Sequence, residues 1–235
     1  LDYLMAGGRL LLFTDYTKNP MPNLAEITGY YGVDAVDGII VDATPSYCMG
    51  SYYQYLLPQM ATHEITNPLI NYNYRVLAPI AHGLMVQGDH RESLGVVTLL
   101  RTSNASFAKL AGYDMTTYAQ EEGDPDGPFG IGTAMSEASG DEHETRIVWY
   151  STASLFNEEA DNNVSGANYN LIMNSLNWLC EREGAISVSA KSLNQEMLAI
   201  STQEATVWTV LLAGVLPTAF VVAGIVVYIR RRRRA

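Results

Sequence analysis

Cysteine is scarce in this 235-residue chain: only Cys48 and Cys180 occur, with no CxxC and no zinc spacing. That excludes a zinc ribbon and a disulfide-stapled framework; one bridge at most is possible, and so wide a separation disfavours it. Glycine-rich phosphate cradles are missing too. Without a G-x-G-x-x-G or Walker A run, any ATP hydrolysis has to come from another polypeptide. A nucleophile elbow needs small residues where the strand turns sharply into a helix. Cys48 follows the bulky Tyr47, and Cys180 follows Trp178 and Leu179 in a helical stretch, so neither qualifies. His63-Glu64 opens like a zinc-protease motif, but Asn67 stands where the second histidine belongs, and His82, His90 and His143 have no ligand spacing. No catalytic residue, metal or cofactor is therefore expected.

Basic charge is also in short supply. Of 14 Lys and Arg residues five form the terminal block, leaving nine against 25 acidic residues and a charge of about −16 outside that block. Such a surface repels nucleic acid and anionic head groups. Glu121, Glu122, Asp124 and Asp126 gather in one loop (EEGDPDG). They offer oxygen ligands of the kind calcium takes, without the bidentate Glu that closes an EF-hand loop, and a solvated acidic turn is the other reading.

What the chain does have is one long apolar run, 205–229, uncharged and followed at once by Arg230, Arg231, Arg232, Arg233 and Arg234. As a helix, 207–229 would extend roughly 34 Å, enough for a hydrocarbon core of about 30 Å. The expectation is a transmembrane helix over 204–229 with Trp208, Pro217 and Tyr228 in the anchor, and a cytoplasmic tail over 230–235. By the positive-inside rule the bulk of the chain, 1–203, is then extracytoplasmic, at the cell membrane. The chain starts at Leu1 and contains no leader, so an ectodomain of this kind is expected to be the C-terminal part of a longer protein.

Within 1–203, the stretch 1–8 reads as the last turns of a helix stopped by a glycine pair. The run 9–15 (RLLLFTD) reads as a buried parallel strand that delivers Asp15 to a loop; a helix over 23–31 and a second strand over 38–42, ending at Asp42, complete a βαβ unit. Strands follow over 95–103, ending at Ser103, and over 146–151, with a short helix over 106–110 between them. The most regular helix is 168–180, whose apolar face is Leu171, Ile172, Ser175, Leu176 and Leu179. The alternation implies one α/β domain, a mainly parallel sheet sandwiched by helices, with Asp15, Asp42 and Ser103 converging on the ligand-binding edge. A tyrosine-rich insertion, about 47–74, interrupts it. Tyr47, Tyr52, Tyr53 and Tyr55, with Tyr72 and Tyr74, form either a partner or glycan platform or a loop packed onto its own domain.

The segments 4–15 (LMAGGRLLLFTD), 30–42 (YYGVDAVDGIIVD), 63–68 (HEITNP), 95–103 and 168–179 (NYNLIMNSLNWL), then the apolar run and arginine tail, resemble in order and spacing the auxiliary subunits of ABC-2 type transporters, the family of the gliding-motility protein GldG. The resemblance covers essentially the whole chain as the C-terminal half of such a subunit. It implies an extracytoplasmic α/β domain of the class I glutamine amidotransferase or flavodoxin-like type that has lost its catalytic residues, set beside a permease that an ATPase drives. The family's acidic turn after the strand 146–151 is absent here, where the chain reads STASLF; Phe156 preserves the aromatic. The functional expectation is a non-catalytic, membrane-anchored auxiliary subunit of an export or gliding-related complex. The alternative is an extracytoplasmic carbohydrate-binding or sensing module that uses the tyrosine-rich insertion.

Overall fold

In the computed structural model the described residues are 1–139 and 143–181, with 208, 210–215, 217, 218, 224, 225, 230 and 232 from the tail. The chain divides into two units, Leu1–Met197 and Leu198–Ala235. In the first, the described elements are α1 (Asp2–Met5), β1 (Arg9–Phe13), α2 (Pro22–Tyr30), β2 (Val33–Val36), β3 (Ile39–Val41), β4 (Cys48–Met49), β5 (Tyr52–Leu56), β6 (Gln59–Met60), α3 (Asn67–Asn71), β7 (Ala78–Pro79), β8 (Gly83–Val86), β9 (Leu94–Arg101), β10 (Phe107–Lys109), β11 (Gly130–Ala138), β12 (Glu144–Tyr150), α4 (Glu158–Asn163) and α5 (Ala167–Leu179).

The main sheet is mixed, not mainly parallel. β1 runs parallel to β12, with Arg9 opposite Arg146 and Phe13 opposite Tyr150. Every other pairing in that sheet is antiparallel: β12 with β11, β11 with β9 and with β8, β8 with β2, and β9 with β6. The expected βαβ unit does not form either, because β3 pairs antiparallel with β10 in a separate ribbon, and 107–109, read as helix, is strand. The reason lies in the burial. Along β12, Ile147 and Trp149 point into one apolar cluster with Leu4, Tyr31 and Leu84, while Val148 and Tyr150 point into another with Leu99, Ile131, Leu155 and Leu171. A strand covered on both faces reads as a continuous apolar run whichever way its neighbours point, so RLLLF and RIVWY carried burial but no direction. The helical layers are thin as well; of the five helices above, only α2 and α5 exceed eight residues.

Two glycines serve the packing. A Cβ on Gly132 would lie 2.6 Å from the Tyr150 ring, so the bare backbone of β11 lets that ring lie flat across it. Gly166 takes φ 84° to open α5, a conformation that costs glycine little. Beside Gly132, Thr133 is fully buried and its Oγ1 has no hydrogen-bond partner. Its isostere should therefore be better tolerated than the native residue: Thr133→Val is expected to raise stability by about 1 kcal/mol, since it removes an unpaired hydroxyl without changing shape. Urea unfolding measures this, and a destabilised valine variant would mean the hydroxyl is satisfied.

The expected C-terminal span is also corrected. Among the described residues no helix is long and apolar enough to cross a membrane. Apolar composition is only half the requirement, because a span needs about 20 residues of continuous helix. The tail segment Val210–Val215 is a π-helical stretch of six residues. Of the anchor residues, Tyr228, Arg231, Arg233 and Arg234 lie outside the described residues, while Trp208, Pro217, Arg230 and Arg232 are described but belong to no such span. The membrane location and the inside–outside assignment rested on that span and fall with it.

Candidate functional site

Because β11 runs antiparallel to both β9 and β12, and β12 parallel to β1, the C-terminal ends of β1, β9 and β12 leave the sheet at one edge. Asp15 follows β1, Thr102 and Ser103 follow β9, and Ser151 and Thr152 follow β12. The sequence placed Asp15, Asp42 and Ser103 at such an edge. Asp42 and Ser103 are in direct contact there; Asp15 engages a different partner.

Asp42 is fully buried. Its Oδ2 accepts from the Ser103 amide at 2.8 Å, and its Oδ1 accepts from the Ser103 hydroxyl at 2.8 Å and from the Thr44 amide at 3.0 Å. With the Ser103 proton committed to Asp42, the Thr44 hydroxyl donates to Ser103 Oγ at 2.7 Å, and the Ala105 amide adds a contact at 3.2 Å. The Asp42 amide in turn donates to the Tyr53 carbonyl. Hydrogen bonds thus replace a counter-ion: among the described residues no Lys or Arg pairs with Asp42. The group joins the loops that follow β3 and β9 and ties them to β5 through Tyr53, and its serine has no histidine to take its proton.

A second polar chain, missed from sequence, lies beneath Asp15. Trp149 Nε1 donates to Thr14 Oγ1 at 2.7 Å, and Thr14 Oγ1 lies 2.8 Å from His82 Nε2. His82 Nδ1 sits 3.1 Å from the Gly83 carbonyl, which can only accept. Nδ1 therefore carries the proton, Nε2 accepts from Thr14, and every member is satisfied. Burial pushes the His82 imidazole below its ordinary value, so it is neutral and already spent. Asp15 itself is exposed; its Oδ1 accepts from the Ala153 amide at 2.9 Å and so fastens the end of β1 to the 3-10 turn Ala153–Phe156. Phe156, the retained aromatic, packs its ring 4.5 Å from that of Phe13.

The depressed imidazole makes a pH prediction. Below about pH 6.5 the unfolded chain takes up a proton that folded His82 refuses, so stability present above that pH falls as pH drops, by at most about 1.4 kcal/mol per unit. Burial depresses His63 in the same sense. Replacing His82 with Asn, which keeps a donor and an acceptor but does not titrate, should flatten the urea midpoint between pH 7.5 and 5.5. An unchanged pH profile in that variant would refute the assignment.

The tyrosines divide between packing and surface. The Tyr47 hydroxyl donates to Gln59 Oε1 at 3.2 Å, and the Tyr53 ring meets Tyr118 edge-on at 5.6 Å. Tyr52 and Tyr55 lie 5.5 Å apart with Tyr52 largely exposed, and Tyr72 beside Tyr74 is 78% exposed. The insertion is built from a small sheet, β4–β5–β7, together with β6 and α3. Cys48 lies buried in it, its thiol pushed up by burial and by the Asp42 charge, which keeps it protonated and unreactive.

The acidic loop has its own cation. Lys109, on β10, is 1% exposed and donates to the Ala119 carbonyl at 2.6 Å, with Glu121 at 2.9 Å and Asp124 at 3.3 Å. Burial alone would lower its pKa, but the two carboxylates outweigh that and raise it. Asp124 also accepts from the amides of Leu110 and Glu121. The loop is thus wrapped around an ammonium group, and the lysine inside the apolar run SFAKL was the signal for it.

Comparison with known proteins adds little to this geometry. No family model matches the chain, and no curated protein matches it. Among solved structures it is similar to the mmIFT52 N-terminal domain, at 14% identity over 75% of this chain and 67% of that one, with a TM-score of 0.48. At that distance the fold description stands on the strand pairing alone.

Proposed function

We propose that the chain is a non-catalytic binding subunit, working as the auxiliary component of an ABC-2 type transporter whose permease it contacts and whose ATPase is a separate polypeptide. The order of segments that resembles the GldG family supports the transporter assignment. The observation that carries the non-catalytic part is the fate of the reactive groups. Asp42, Ser103, His82 and Cys48 are all buried, and their protons and lone pairs hold loops together or are locked in a neutral form. Turnover needs an acid, base or nucleophile held open to substrate.

The test is affinity purification of the tagged full chain in mild detergent from the cells that naturally make it, with identification of what co-elutes. The permease should co-elute in fixed ratio, and the purified chain should have no hydrolase or amidotransferase activity. A chain that elutes alone, or a turnover abolished by Ser103→Ala, would sink the reading.

Exposed Tyr52 and Tyr72, each beside a half-buried ring, Tyr55 and Tyr74, favour a second reading, glycan binding, since sugars stack on such rings. A glycan array probed with the chain and with Tyr52→Ala separates the two.

A further inference from the structure

Strand β1 ends the main sheet, and among the described residues only one of its two edges is paired. The Arg146 amide donates to the Gly8 carbonyl and the Thr14 amide to the Tyr150 carbonyl, so the parallel register turns the backbone groups of the even-numbered residues of β1 toward β12. The odd-numbered residues turn theirs outward. At Arg9 the Tyr3 hydroxyl meets both groups, 3.1 Å from the amide nitrogen and 3.4 Å from the carbonyl oxygen. Among the described residues nothing pairs with the outward groups of Leu11 and Phe13. Every residue of the strand is half-buried, and Leu10, Leu11, Leu12 and Phe13 carry none of the charge, proline or bulge that protects an open edge.

We infer that this edge is the docking site of the chain's own segment 185–189 (AISVS), laid parallel to β1 with Ile186 opposite Leu11 and Val188 opposite Phe13. The segment lies outside the described residues; three observations select it. Continuity is the first. α5 packs on β1 and β12 and ends at the start of β1, where Arg9 donates to the Leu179 carbonyl and pairs with Glu181, and Arg146 donates to the Trp178 carbonyl at 2.7 Å. From there residues 182–184, closing on Gly184, suffice as a helix-to-strand connection into a strand that runs with β1. The path from β12 through α5 to 185–189 is then the crossover that parallel strands require, with β1 between them. Pattern is the second observation. Ile186 and Val188 alternate with Ser187 and Ser189, the period of a strand with one covered face, and this register sets them beside Leu11 and Phe13 on the face where Leu171 of α5 packs. Third, the compact unit that contains the sheet extends to Met197. A second copy is the poorer occupant, because a chain of net charge −11 repels it.

In this ladder the Leu11 amide donates to the Ala185 carbonyl and the Phe13 amide to the Ser187 carbonyl, while the Ser187 amide donates back to Leu11. Amide-resolved hydrogen exchange of the full chain by NMR tests it: Leu11 and Phe13 should exchange at least about a hundredfold more slowly than open amides. Ser187→Pro removes a donor and should speed both by about tenfold or more, leaving Leu12, which donates into β12, protected; Ser187→Ala keeps the amide and should change neither. A second reading needs no variant, since a cross-strand NOE should connect the Leu11 and Ser187 amide protons in the parent. Unprotected Leu11 and Phe13, a missing NOE, protection that survives Ser187→Pro, or protection that rises with protein concentration, the mark of a second copy on the edge, would each overturn the inference.

Discussion

Replacing Asn168 with Leu should lower the urea midpoint by roughly 1–2 M, a loss of about 3–5 kcal/mol, although the new side chain is apolar and enters a buried site. Asn168 is fully buried at the start of α5, and its amide imitates a strand: Oδ1 accepts from the Leu77 amide at 3.0 Å and Nδ2 donates to the Leu77 carbonyl at 2.8 Å. Those two bonds tie α5 to the segment leading into β7, and leucine would leave both backbone groups unpaired without water. Asn168→Asp separates hydrogen bonding from packing. It keeps the acceptor but turns a carboxylate toward the Leu77 carbonyl, and should be nearly as damaging. Hydrogen exchange at the Leu77 amide reads the bond directly; a protected amide in the leucine variant would show that something else satisfies it.

Asp42→Ala should be of similar size, roughly 3–5 kcal/mol, because it deletes three hydrogen bonds to a buried carboxylate and orphans the Ser103 amide. Asp42→Asn, which retains one acceptor oxygen, should lose about half as much. Ser103→Ala leaves the Ser103 amide bond to Asp42 in place and should be mildest. The ranking Ala, Asn, then the serine variant is the content of the prediction, and urea midpoints give it. If Asp42→Ala unfolds where the parent does, the junction of the two loops does not depend on this residue.

How much of this was legible depended on what each residue type reports. The apolar runs located β1, β9, β12 and α5 within a few residues, because burial is written in composition and period. Strand direction was not written there, since β1 and β12 are covered on both faces; the antiparallel pairing of β11 between β9 and β12 is a tertiary fact. Asp42 and Ser103 were found as polar residues ending apolar runs. His82 and Asn168 were not, because a single polar residue among apolar neighbours looks the same whether it faces water or a buried backbone group. For the 205–229 run, hydropathy counts side chains, whereas among the described residues no helix is long and apolar enough to cross a membrane.

Lys109 makes the acidic loop self-reporting. An amine-reactive acylating reagent needs a free, deprotonated ε-amine. The one on β10 is neither, being shut in by Ala119, Glu121 and Asp124 and held protonated, while Lys18 is open to solvent in its pairing with Asp114. Labelling at Lys109 therefore proceeds only in molecules whose loop has swung away. When reclosing outpaces the reagent, its rate relative to that of an open lysine equals the fraction of time the loop stands open, a local equilibrium constant that two peaks in a peptide mass spectrum deliver.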